Sequence, residues 1–135
     1  MRENKCPLCE AVTSRDVTLE GVNNDLVRVV EDGFPSAPGH LLIVPVRCVG
    51  RLSDLSLEEH ESLFAALRIV TRSSKTRPGL AEGATIGIND GAAAGQTIPH
   101  LHLHVIPRRI ADVPDARGGI RWVLPATAAY WQGGE

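Results

Sequence analysis

The sequence predicts an α+β fold, a mainly antiparallel sheet with one long helix, and three observations predict it. Short apolar runs bounded by glycine and proline read as strands, one stretch carries helical spacing, and histidines alternate with aliphatic residues late in the chain. With 135 residues there is material for one packed core, so 1–135 reads as a single domain. Leu26–Val30 is the first expected strand, followed by a turn through Asp32-Gly33-Phe34-Pro35. Leu41–Val44 is continuously apolar between Gly39 and Pro45, the pattern of a central strand covered on both faces. Ser56 with Glu59 forms a capping-box signature, and Leu63, Phe64, Leu67 and Val70 recur at spacings of three and four, which predicts a helix over about Leu57 to Ser73. Ser73-Ser74 and Pro78-Gly79 end it, and Ala84–Ile88 reads as a short strand leading into a loop with Gly91 and Gly95. In the strand Leu101–Pro107, the period of two puts His100, His102 and His104 on one face and Leu101, Leu103 and Val105 on the other, against the helix. The stretch Gly118–Pro125 reads as a short strand or a partner-facing arm.

Composition narrows the function classes. A hydrophobic content of 43% with 22% charged residues excludes a disordered chain. A net charge of -2 gives no global attraction for nucleic acid or anionic lipid, and 4% aromatics leaves few platforms for stacking single strands. No apolar run reads as a leader or a membrane span, so the expected setting is cytoplasmic, with no membrane and no nucleic-acid partner. Three cysteines cannot complete a disulfide framework, and the close pair Cys6/Cys9 points to metal before it points to a disulfide.

Three of the five histidines fall on one strand face, which leaves core packing, metal binding and catalysis as readings. Imidazoles this close disfavour one another's protonation, so at least one is expected to be neutral and nucleophilic, and a bound phosphate would relieve the repulsion of any that are charged. The preceding loop adds groups suited to phosphate: Gly91 and Gly95 allow close backbone approach, Gln96 brings an amide and Thr97 a hydroxyl.

The run Asn89-Asp90-Gly91-Ala92-Ala93-Ala94-Gly95-Gln96-Thr97-Ile98-Pro99-His100-Leu101-His102-Leu103-His104-Val105-Ile106-Pro107-Arg108 resembles the signature of the histidine triad family of nucleotide hydrolases and transferases. A second stretch, with Pro35, Ala37-Pro38-Gly39-His40 and Leu42-Ile43-Val44-Pro45, resembles the family's other half-site. The resemblance implies that His102 is the nucleophile that attacks an α-phosphorus to form a nucleotidyl-histidine, that His104 binds a nonbridging oxygen, and that His40 lies beside His102 and orients it. It further implies that Gln96 and Thr97 hold the α-phosphate next to Gly95, that Asp32 binds the ribose hydroxyls, and that Asn89 lines the phosphate side. Read without the family, Asp32 is equally a turn residue before Gly33. The implied substrate is a purine nucleotide conjugate, a dinucleoside polyphosphate or a phosphoramidate, and the implied assembly is a homodimer.

His104 stands where the transferase branch carries Gln, which favours hydrolysis; nucleotidyl transfer and a noncatalytic zinc and nucleotide-binding module are the alternatives. Cys6-Pro7-Leu8-Cys9 resembles the amino-terminal C-x-x-C of the zinc-bearing members. The implied ligands of a structural Zn2+ are Cys6, Cys9, His100 and Cys48, the last where the family pattern has His; Cys3His is a sound closed set for zinc.

Overall fold

The computed structural model describes residues 6–132. Four strands, β1 (Val27–Glu31), β2 (Leu41–Pro45), β3 (Ala84–Ile88) and β4 (Leu103–Pro107), form one antiparallel sheet in the order β1-β2-β4-β3. Every residue of β2 is buried, as its unbroken apolar run requires of an inner strand. Period-two alternation then divides the sheet into two faces. Val27 and Val29 of β1, Leu41 and Ile43 of β2, and Leu103 and Val105 of β4 pack with Leu63, Ala66 and Val70. Val30, Leu42 and Val44 point the other way and pack with Leu8, Ala11 and Val12.

The first face is covered by α2 (Leu57–Arg72), which starts at the expected box: Ser56 Oγ accepts from the Glu59 amide, and the Glu59 carboxylate accepts from the Ser56 amide. Glu59 also takes Arg47, whose guanidinium holds its carboxyl down to about 2 despite burial. The helix stops at Arg72, with Ser73 in extended backbone.

The second face is covered by α1 (Pro7–Ser14), which the sequence reading did not anticipate. Eight residues make only about two turns, shorter than the stretch over which helical periodicity is diagnostic, and this helix exists because Leu8, Ala11 and Val12 find an apolar sheet face to cover. Strand boundaries also differ from the sequence reading, and β2 runs on through Pro45 rather than ending at Val44. The first strand is shifted by one residue, and the histidine strand begins at Leu103, so His100 and His102 precede the ladder. Gly118–Pro125 adds no strand: Gly119–Val123 is a 3-10 turn followed by a one-turn helix α3 (Pro125–Ala128). No helix among the described residues is long and apolar enough to cross a membrane.

Candidate active site

The histidines lie on the α1 side of the sheet, opposite α2, as the alternation requires. His102 and His104 line a cleft of about 480 Å³ with His40, Asp32, Asn89, Gly95 and Thr97, to which α1 contributes Pro7 and Leu8. Register explains the convergence: Leu42 of β2 and Gly87 of β3 both stand opposite His104, so the chain entering β2 and the loop leaving β3 meet at that histidine. Gly95 adopts φ +92, a left-handed conformation that ends the 3-10 turn Ala92–Ala94 and that a side-chain-bearing residue would resist.

Backbone groups fix where the ring protons sit. A carbonyl can only accept, so the 2.8 Å contact of His102 Nδ1 with the His100 carbonyl puts a proton on Nδ1 and leaves a bare lone pair on Nε2. An amide N–H can only donate, so the Ser36 amide, 3.0 Å from His40 Nδ1, forces the His40 proton onto Nε2. That N–H is 2.9 Å from His104 Nδ1, which must accept, so His104 carries its proton on Nε2. The site therefore offers a nucleophilic nitrogen on His102 and a donor on His104, with ring centroids 4.9 Å apart. Sequence reasoning missed Ser36, because a backbone amide leaves no side-chain signal.

Burial favours the neutral forms of His40 and His104. Desolvation pushes His104 down to about 4, helped by His102 and His40, and it lowers His40 despite the opposing pull of Asp32, whose Oδ2 is 3.3 Å from His40 Nε2. In the unfolded chain these rings titrate near their ordinary value, about 6.5. Between that value and about 4 the unfolded state binds more protons, so stability is complete above the upper limit and is lost as pH falls toward the lower one. Melting should thus move to lower temperature on going from pH 7 to pH 5, and calorimetry should find a shallower dependence in His104→Asn.

Two expected roles meet different geometry. His40 is hydrogen-bonded to His104, not to His102, because the register delivers it across β2 to the ring on β4. Gln96 does not face the cleft: its Nε2 donates to the Gly50 and Ile98 carbonyls, and its Oε1 accepts from the Gly91 amide, so every strong bond of the amide braces the loop. Asp32 lines the cleft, yet its Oδ1 accepts from the Phe34 amide at 2.8 Å, so the turn role and the position suited to a ribose coexist. Arg15 and Phe34 line the same cleft and had no sequence signal of their own.

Ligand atoms of Cys6, Cys9, Cys48 and His100 lie within 4.8 Å of one another. The His100 ring is oriented by the Pro45 carbonyl, 2.8 Å from Nε2, which fixes the proton there and turns the Nδ1 lone pair toward sulfur. Cys6 Sγ and Cys9 Sγ are 3.3 and 3.6 Å from that Nδ1. A tetrahedral zinc with ordinary bond lengths requires S···N edges of about 3.6 Å, so the residues fit the ion. Desolvation and the neighbouring sulfurs push Cys9 up to about 12, and desolvation raises Cys48, a crowding of thiols of the kind that a divalent ion would relieve. Asp32, His40 and His104 also cluster, but the N–H of His40 is donated within that group, which makes it a hydrogen-bonded chain.

The family model of the HIT domain matches residues 20–111. Among curated relatives, bis(5'-nucleosyl)-tetraphosphatase (asymmetrical) of Schizosaccharomyces pombe is 46% identical over 78 residues, 58% of this chain and 42% of that protein. A bis(5'-adenosyl)-triphosphatase of Saccharomyces cerevisiae is 41% identical over 103 residues, 73% of this chain and 50% of that protein. The chain spans about half the length of the curated relatives it matches. Among solved structures, a Zn-bound histidine triad family protein from Mycobacterium smegmatis overlays on 97% of this chain and 98% of its own, with a TM-score of 0.64 and 30% identity. The diadenosine triphosphate hydrolase of Plasmodium falciparum shares the fold over 80% of this chain and 72% of its own, with a TM-score of 0.59 and 24% identity.

Proposed function

The chain belongs to the HIT domain family, and from that premise we propose that it hydrolyses dinucleoside polyphosphates at the α-phosphorus, with His102 as the nucleophile. The observation that carries this reading is the proton arrangement: a bare nitrogen on His102 beside a ring N–H on His104, both in one cleft. The names of the fungal relatives support the substrate class.

In the first step the His102 Nε2 lone pair forms a bond to the α-phosphorus while the bond from phosphorus to the bridging oxygen breaks. The departing group is a nucleotide whose new terminal oxygen carries the electron pair. The His102 Nδ1–H goes on donating to the His100 carbonyl, which stabilises the ring as positive charge develops on it. His104 Nε2–H donates to a nonbridging oxygen, and His40 holds His104 in the tautomer that can do so. Water then attacks the same phosphorus, the phosphorus–nitrogen bond breaks, and a nucleoside monophosphate leaves with the oxygen of that water. Asp32 takes the ribose hydroxyls, and Gly95, Thr97 and Asn89 border the phosphate. Gln96 serves by holding the loop rather than by touching substrate.

Cys6, Cys9, Cys48 and His100 would hold a structural zinc in this reading, a closed four-ligand set that would cross-link the start of α1 to the segments carrying Cys48 and His100. Turnover of diadenosine triphosphate and tetraphosphate in ¹⁸O-labelled water tests the reading. A single labelled oxygen is expected in the AMP product and none in the released ADP or ATP. Label in the ADP or ATP instead would move the attack to another phosphorus and remove His102 from its role.

A further inference from the structure

A second cleft, of about 830 Å³, opens on the far side of the same histidines. The two clefts share Ser36, His40, Asn89 and His104, so the phosphorus attacked by His102 sits at their seam. On the hydrolase reading one cleft takes the nucleotidyl half of the substrate, which leaves the other for the group that departs. We propose that the segment Gly118–Leu124 builds this second cleft into a leaving-group subsite that takes the base and sugar of a second nucleoside. The proposal rests on the hydrolase reading above and specifies what that site selects.

The chemistry of the walls decides the occupant. Ile88, Ile106, Ile120, Trp122, Val123 and Leu124 form them, and no lysine, arginine, aspartate or glutamate is among the lining residues. A bare phosphate chain would demand cations, whereas a planar base gains by leaving water for an aliphatic and indole surface. The volume suits a nucleoside, since small-molecule sites of this kind span roughly 300 to 1,000 Å³.

The segment is built to present these side chains. Trp122 Nε1 donates to the Arg117 carbonyl at 2.8 Å, and the Arg121 guanidinium donates to the Ala128 and Thr127 carbonyls at 3.0 and 2.7 Å. Ile120 presses on β3 where Gly87 leaves room: a Cβ there would be 3.3 Å from Ile120 Cδ1. Gly118, at φ +89, lies so close under the Trp131 ring that a Cβ would come within 2.9 Å of it. The apolar side chains nevertheless keep much of their surface open, 44% for Trp122 and 73% for Val123. Continuity with the catalytic cleft assigns that surface to the substrate.

Trp122→Ala and Val123→Ser test the proposal in the full chain, the second variant altering an exposed side chain whose loss leaves the core intact. Two quantities are measured for each: kcat/KM for diadenosine triphosphate, and the inhibition constant of AMP, which occupies the nucleotidyl cleft. The expected result is a fall in kcat/KM of about tenfold for Trp122→Ala, in keeping with the loss of one base-stacking contact, and a smaller fall for Val123→Ser, with AMP inhibition unchanged within about twofold. Unchanged kcat/KM in both variants would overturn the subsite while leaving the hydrolase reading in place. Parallel weakening of AMP would overturn it too, by showing that the segment supports the whole site. If sedimentation shows a dimer of the native chain that Trp122→Ala dissociates, the surface is an interface between copies and the subsite falls. Failure of the native chain to turn over any dinucleoside polyphosphate defeats the hydrolase reading and this inference together.

Discussion

Replacing His102 with Ala should reduce turnover of diadenosine triphosphate by at least about a thousandfold, the scale on which removal of an attacking group acts when the rest of the site survives. Nucleotide affinity should change little, because the cleft proposed to receive the nucleotide is lined largely by α1, the Asp32 turn and the Gly95 loop. His102→Asn sharpens the test. Asparagine can still donate to the His100 carbonyl, so it preserves the local hydrogen bond while removing the lone pair that attacks phosphorus. Steady-state kinetics paired with calorimetric titration of AMP separate the two effects. Activity retained in either variant would rule out the covalent route, and label from the substrate passing to an added phosphorylated acceptor faster than to water would favour nucleotidyl transfer over hydrolysis.

The second large effect concerns the cysteines. Protein prepared with zinc present should carry about one zinc per chain, and its removal by chelator should lower the melting temperature by more than about 10 °C, since the free energy of structural zinc binding amounts to several kcal/mol of folding free energy. Cys48→Ala should reproduce most of that loss, because it breaks a four-ligand set to three. Nucleotide affinity should weaken in parallel, since Pro7 and Leu8, which line the cleft, sit in the turn tied down by Cys6 and Cys9. Elemental analysis and calorimetry on the same preparations check both. Absence of zinc together with an unchanged melting temperature in Cys48→Ala would dismiss the metal.

Both outcomes bear on how far the residues alone could be read. β2 and α2 were legible because their signals are local: an unbroken apolar strand between glycine and proline, and a capping box opening a periodic helix. α1 and the carboxyl-terminal turn were not, since each owes its shape to distant partners. α1 depends on an apolar sheet face far along the chain, and the turn depends on Arg121 reaching the carbonyls of Thr127 and Ala128. The histidines were legible as a period-two pattern, but their division of labour was not. His100 turns to the thiols while His102 and His104 turn to the cleft, a split made by the Pro45 and His100 carbonyls. Gln96 misled for a related reason: an amide beside a phosphate loop can face the ligand or the loop, and only the positions of Gly50, Gly91 and Ile98 decide which.

The three bonds of Gln96 also bear on the thermodynamics of binding. They join Gly50, in the segment that follows β2, to both ends of the loop proposed to border the phosphate, so that loop is braced by the fold itself. Freezing a loop upon association commonly consumes a good part of the affinity that its contacts provide. In the proposed reaction that entropy is spent during folding instead, and the phosphate meets a rim already braced at Gly50, Gly91 and Ile98.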